Sequence, residues 1–239
     1  MILPLVVTHA EWTTARKRLL EREKAATRAR DELAAERRRL PMVHLEKDYV
    51  FEGPRGAVRL ADLFAGRRQL IIYHFMFDPE WEEGCKSCSH AADNLAGCLV
   101  HLAARDTSFA AVSRAPFAKI ERFRKRMGWS FPWVSAFDNS FNYDFHVTLD
   151  EAAPVDYEYN YASATELLRA GKIWAAKAEM PGLSVFLRDG ASIFHSYSTY
   201  QRGLDPILTT YTLLDMTPLG RQEQGEPIQG WVRYHDRYG

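Results

Sequence analysis

Cys85 and Cys88, separated only by Lys86 and Ser87, are the residues of this chain whose type and spacing most directly suggest chemistry. The nine residues at 69–77 (QLIIYHFMF) form a continuous apolar run, which reads as a strand buried on both faces. A loop (DPEWEEG) follows, then a helical pattern that opens on the cysteines. The pair therefore falls where a buried strand hands over to a helix start. Unpaired amides and the positive end of the helix dipole favour thiolate over thiol there, which lowers the pKa of the first cysteine. The second cysteine lies one turn deeper, where it can attack a mixed disulfide and release the product. These positions predict Cys85 as the attacking thiol and Cys88 as the resolving one.

The neighbours pull in different directions. Lys86 should help to hold a thiolate and Glu82 and Glu83 should oppose it, so a modest lowering is expected. Trp81 is placed to shield the dithiol or to offer a docking face. Asp93 is a candidate proton acceptor for the buried thiol, against the plainer reading of a solvated helix carboxylate. Arg114, at the exit of a strand, could bind a peroxide, carboxylate or thiolate, or simply cap the strand or pair with an acid. A zinc site would need a second ligand pair of comparable spacing. There is no second C-x-x-C, and His90 is the best auxiliary ligand candidate. His74 lies within the buried strand and reads as a hydrogen-bonded core residue. No metal and no cofactor are expected. Cys98 follows Cys88 by ten residues, about 15 Å along one helix, and reads as a packed core thiol.

The elements that must hold this pair can be traced along the chain. Residues 9–40 lack Gly and Pro and predict a long helix, with Thr8 and Glu11 as a capping box and Pro41 at its end. Its apolar face (Trp12, Leu19, Leu33, Leu40) is narrow, so it should lie on the back of its own core or join a homo-oligomer. Strands are expected at 48–52, 69–77, 108–113 and 131–137. Helical segments are expected at 61–64, 85–105, 116–127, 165–178 and 203–216. A DG turn joins a hairpin of 183–188 and 192–197. Strands alternating with helices imply a mostly parallel sheet. The organisation reads as an N-terminal helical extension (1–40), a central α/β domain (41–216) and a tail packed on the core (217–239). Lys plus Arg equal Asp plus Glu at 31 each, so no global charge draws the chain to nucleic acid or to a membrane surface. With no signal-like start and no long apolar run, the chain reads as cytoplasmic. Three cysteines do not make a disulfide scaffold.

Several segments, among them EKDYVFEGP, the run LADLFAGRRQLIIYHFMFDPEWEEGCKSCSHAADN, PGLSVFLRDG and WVRYHDRY, resemble the family catalogued as domain of unknown function 899. That family carries the label of predicted dithiol–disulfide oxidoreductases. The resemblance spans nearly the whole chain. It implies a thioredoxin-like central sheet flanked by helices, with a long N-terminal helix and a C-terminal extension, and it places the dithiol on Cys85 and Cys88. Two departures accompany it. The family pattern has Pro after the first cysteine and this chain has Lys86, which alters helix-start rigidity and reduction potential. Thioredoxins also place a cis-proline before the hairpin; Pro181 is the nearest counterpart, with Gly182 intervening before Leu183. The implied activity is thiol–disulfide exchange on a disulfide-bearing protein or small molecule, the reductant being unspecified. The alternatives are a peroxiredoxin-like peroxidase using Arg114, and a non-catalytic binding module. Against the peroxidase, Glu82 stands where Thr or Ser would precede Cys85 by three; against the module stands the intact dithiol.

Overall fold

The computed structural model describes residues 4–150, 153, 158–172, 176–223, 225 and 227–239. Its first element is α1 (His9–Arg37), closed at its start by the expected capping box: the Glu11 amide donates to Thr8 Oγ1 at 3.3 Å and the Thr8 amide to Glu11 Oε2 at 2.9 Å. The helix stops at Arg37, three residues before Leu40, and none of its residues is buried. Near its end the Arg37 guanidinium lies 5.5 Å over the Tyr197 ring.

The following elements are β1 (Val43–His44), β2 (Val50–Gly53), β3 (Gly56–Arg59), α2 (Leu60–Leu63), β4 (Gln69–His74), α3 (Lys86–Leu95), α4 (Leu99–Ala103), β5 (Thr107–Ser113), α5 (Phe117–Arg126) and β6 (Trp133–Ser135). Next come α6 (Phe141–Asp144), β7 (Thr148–Leu149), β8 (Glu158–Tyr159), β9 (Ala162–Ser163), α7 (Ala164–Arg169), β10 (Ala178–Glu179), β11 (Gly182–Asp189), β12 (Ser192–Tyr200) and α8 (Thr209–Leu214). Eight strands form one sheet in the order β1-β12-β11-β4-β5-β6-β2-β3. Within it, β4 lies parallel to β5 on one side and antiparallel to β11 on the other, and β11 pairs with β12. A strand–helix–strand unit followed by a hairpin and a helix, in the order β12-β11-β4-β5, is a thioredoxin-like α/β core.

The strand period explains the two-sided burial of β4. Leu70 and Ile72 face a cluster with Phe51, Phe64 and Phe186, while Tyr73 and Phe75 face the other cluster, with Cys88, Phe123 and Tyr211. Fully buried central strands read as apolar runs for this reason.

Several expectations are corrected. The sheet is not mostly parallel: only β4, β5 and β6 run parallel, joined by helical crossovers, while the tight turns of the β2–β3 and β11–β12 hairpins impose antiparallel pairing and β11, β2 and β1 also join their other neighbours antiparallel. β3 was not anticipated; Gly56, at φ +97°, lets the chain reverse after β2. The helical stretch from the cysteines breaks into a 3-10 turn at Ala96–Cys98, at the poor helix former Gly97. Cys98 is thus half-buried on a turn, its thiol donating to the Leu95 carbonyl at 3.1 Å. Residues 203–216 divide into a 3-10 segment, Gln201–Ile207, containing Pro206, and then α8. α7 ends at Arg169, Ala178 belongs to a strand, and residues 173–175 of that expected helix lie outside the described residues. Among the described residues no helix is long and apolar enough to cross a membrane.

Candidate active site: a dithiol at a helix start

Cys85 is the N-cap residue of α3 and Cys88 lies in its first turn. The loop from β4 is pinned at both ends. The Cys85 amide donates to the Met76 carbonyl at 3.0 Å, and the Met76 amide approaches Cys88 Sγ at 3.4 Å. Gly84 is required beside it, since a Cβ there would meet Phe75 Cε1 at 2.6 Å and Phe123 Cε1 at 2.9 Å. From the far end of the chain, the Tyr234 hydroxyl donates to the Gly84 carbonyl at 2.7 Å. The last residues thus brace the loop that carries the dithiol.

Both thiols are free, Cys85 half-buried and Cys88 only 1% exposed. Cys85 is pulled down to about 7, first by hydrogen bonding from the Cys88 thiol and, against burial, by the amides of Cys88 and Ser87 and the Ser87 hydroxyl. Cys88 is pushed up, chiefly by burial and then by Cys85. The buried Tyr73 hydroxyl opposes that push by hydrogen bonding to Cys88, and its own pKa is raised by burial and by the two sulfurs. The pair therefore divides into one acidic thiol near the surface and one protonated thiol beneath it.

The neighbours settle as follows. Lys86 is exposed and is not among the main influences on Cys85. Glu82 is paired with Lys119 at 3.1 Å, and Glu83 with Arg126 and with Arg237, the latter at 3.1 Å. Arginine and lysine thus offset the two carboxylates that the sequence sets against a thiolate. Trp81 is 37% exposed on the loop before Cys85, its carbonyl accepting from Lys119 Nζ at 3.1 Å. Asp93 Oδ1 accepts from Trp129 Nε1 at 2.8 Å and contacts His235 Nδ1 at 2.7 Å, so it serves the tail rather than a thiol. His74 is buried and bonded to Ser184 Oγ at 2.8 Å, as a core histidine, with its pKa pushed down to about 3 by burial. His90 packs edge-on against Tyr211 and Trp231. Among the described residues no group of three or more His, Cys, Asp and Glu side chains converges as a metal shell.

Arg114 takes the acid-paired alternative. Its Nη1 lies 3.0 Å from Asp150 Oδ2 and 3.3 Å from Glu179 Oε1, and its guanidinium stacks over Tyr143. Glu179 is 3% exposed and accepts from Thr148 Oγ1 at 2.9 and 3.0 Å. Burial pushes its carboxyl up to about 8, and Arg114, shared with Asp150, only partly offsets this. Two residues later Pro181 lines a cavity with Cys88, and its carbonyl accepts from Tyr159 at 3.0 Å. Every peptide bond among the described residues is trans.

Sequence reasoning missed Tyr73, Tyr234 and Glu179. For Tyr73 a signal existed: it is a hydroxyl in an otherwise apolar strand, and a buried hydroxyl needs a partner. The other two depend on contacts between distant segments.

The family described as bacterial protein of unknown function (DUF899) matches residues 1–238, and the chain belongs to it. No curated protein matches in sequence. Among solved structures, a cysteine-to-serine variant of peroxiredoxin Q from Xanthomonas campestris is 14% identical, with 69% of this chain and 90% of that one covered and a TM-score of 0.45. The peroxidoxin BcpB of Mycobacterium tuberculosis is 14% identical, with 72% and 94% covered and a TM-score of 0.44. A candidate thiol:disulfide interchange protein, DsbE, from Chlorobium tepidum is 12% identical, with 73% and 97% covered and a TM-score of 0.42. Overlaps this loose leave the fold resting on the strand order itself.

Proposed function

We propose that the protein is a thiol–disulfide oxidoreductase in which Cys85 attacks and Cys88 resolves. The observation that carries this reading is the division of the pair: Cys85 at the N-cap of α3 with its pKa pulled down to about 7, and Cys88 buried one turn on with its pKa pushed up. A thiolate near neutral pH attacks one sulfur of a substrate disulfide, forms a Cys85–substrate bond and expels the other half as a thiol after proton uptake. Cys88, on losing its proton, attacks Cys85, releases the second half and leaves a Cys85–Cys88 disulfide. A thiol reductant returns both to thiols. Such a cycle suits a reducing, cytoplasmic setting. The engagement of Arg114 Nη1 with Asp150 and Glu179 favours exchange over peroxide reduction, because it holds that edge of the guanidinium against protein acids.

The test is trapping. Under mildly oxidising conditions Cys88→Ser should accumulate a reductant-cleavable adduct with its substrate, and Cys85→Ser should accumulate none. Adducts carried by Cys85→Ser would overturn the assignment. Consumption of hydrogen peroxide without disulfide exchange would point to a peroxidase, and neither activity to a binding module.

A further inference from the structure

A cavity of about 290 Å³ opens beside Cys88, and exchange between the two thiols and a disulfide does not by itself require it. Cys88 and Ser87 form part of its wall, and Cys85, the N-cap of the helix that carries them, packs against the same core cluster as Cys88. A group joined through sulfur to Cys85 therefore stands next to this space. Much of the remaining wall is apolar: Met76, Ala91, Leu204, Leu208, Tyr211 and Ile228. Its two charged residues satisfy each other, Arg202 Nε donating to Asp205 Oδ2 at 2.7 Å. Its other polar side chains include Gln201 and Gln229, and Gln229 Oε1 is buried with no hydrogen-bond partner among the described residues. No unpaired charge in the wall calls for an ionic ligand, and a charge buried there without a partner is disfavoured. The volume is at the lower end for small-molecule sites, room for a short hydrocarbon arm and not for a folded polypeptide segment.

Building on the exchange reading, we infer that this cavity seats the neutral, apolar arm of a low-molecular-weight disulfide, so that the substrate class is dialkyl and related apolar disulfides rather than charged ones such as glutathione disulfide. One reduced chain and one R–S–S–R give a Cys85–S–S–R bond and one RSH. Attack by Cys88 then gives the Cys85–Cys88 disulfide and a second RSH. Two protein thiols are oxidised and one substrate disulfide is reduced, with no further reactant in a single turnover.

The experiment mixes pre-reduced full-length protein with dimethyl, diethyl, dipropyl, dibutyl, 2-hydroxyethyl and glutathione disulfides under single-turnover conditions. Each rate is divided by the rate of dithiothreitol with the same compound, which removes intrinsic reactivity. The relative rate should rise with each added methylene, up to about fourfold where the group is fully seated, and the charged glutathione compound should fall below both diethyl and hydroxyethyl. In Leu208→Ala the ratio of dibutyl to dimethyl rates should drop at least fivefold. Should that variant fail to fold, Ile228→Asp at the exposed lip should lower the same ratio. A flat alkyl series, with exchange still measurable, overturns the cavity assignment and leaves the exchange reading standing. No reaction with any of the six compounds, while Cys88→Ser still traps an adduct, overturns the cavity assignment alone; no reaction and no trapped adduct overturn both.

Discussion

Tyr73, on β4, and Cys88, on α3, are packed in one buried core cluster, and the Tyr73 hydroxyl is among the groups that favour the Cys88 thiolate. On the proposed cycle this makes Tyr73 a positioning residue, because the Cys88 thiolate is the form that must appear when a mixed disulfide is resolved. Tyr73→Phe should therefore slow release by about tenfold, the effect of losing a hydrogen bond to a charged group. Attack by Cys85 should keep its pH midpoint near 7. Rapid-quench trapping of the mixed disulfide, with the pH profile of each step, checks this; equal shifts in both steps would indicate a merely structural role.

The loop before Cys85 should tolerate little added volume. Gly84→Ala places a methyl group against the Phe75 and Phe123 rings at 2.6 and 2.9 Å and should destabilise the fold by about 1–3 kcal/mol. Tyr234→Phe removes the donor to the Gly84 carbonyl and should cost about 1 kcal/mol. Urea denaturation of both variants measures these effects.

Glu179 should give stability an unusual pH dependence. Its folded-state pKa is raised, from 4.5 to about 8. Between those values the folded protein keeps a proton that the unfolded chain releases. This contribution is fully present below about pH 4.5 and is lost as pH rises through about 8, at up to about 1.4 kcal/mol per pH unit. Glu179→Gln imitates the protonated form, so it should flatten that slope and raise the urea midpoint at pH 9 relative to wild type. An unchanged slope in the variant would refute the assignment.

The exposed helix should matter outside the core. α1 contains no buried residue, yet Trp12, Leu19 and Leu33 are exposed along it, and a single helix gains little stability unsupported. Removing residues 1–40 should lower the mass in solution, by light scattering, while the dithiol stays reactive with iodoacetamide. An unchanged subunit count would make the helix an appendage.

What was legible in the sequence was local. The Thr8–Glu11 capping box, the buried run of β4, the Asp189-Gly190 hairpin and the cysteines at a helix start each announce themselves within a few residues. What escaped was set by distant partners. Nothing near Gly84 reveals that Tyr234 holds its carbonyl, and nothing near Arg114 singles out Glu179 among the acids. The antiparallel flank of β4 depends on β11, which arrives more than a hundred residues later. Lys86 shows the opposite limit: a charge adjacent in sequence does not lead the tuning of Cys85, because a helix directs the first-turn amides, and not that side chain, at the sulfur.

The most direct measurement is the pH dependence of iodoacetamide alkylation, resolved by cysteine through peptide mass mapping of the reduced full-length protein. Cys85 should be modified first, with a rate that rises through a midpoint of about 7, and Cys88 should stay unmodified until well above its ordinary thiol range. Earlier labelling of Cys88 or Cys98, or a Cys85 midpoint near the free-thiol value of about 8.5, would contradict the two-thiol mechanism.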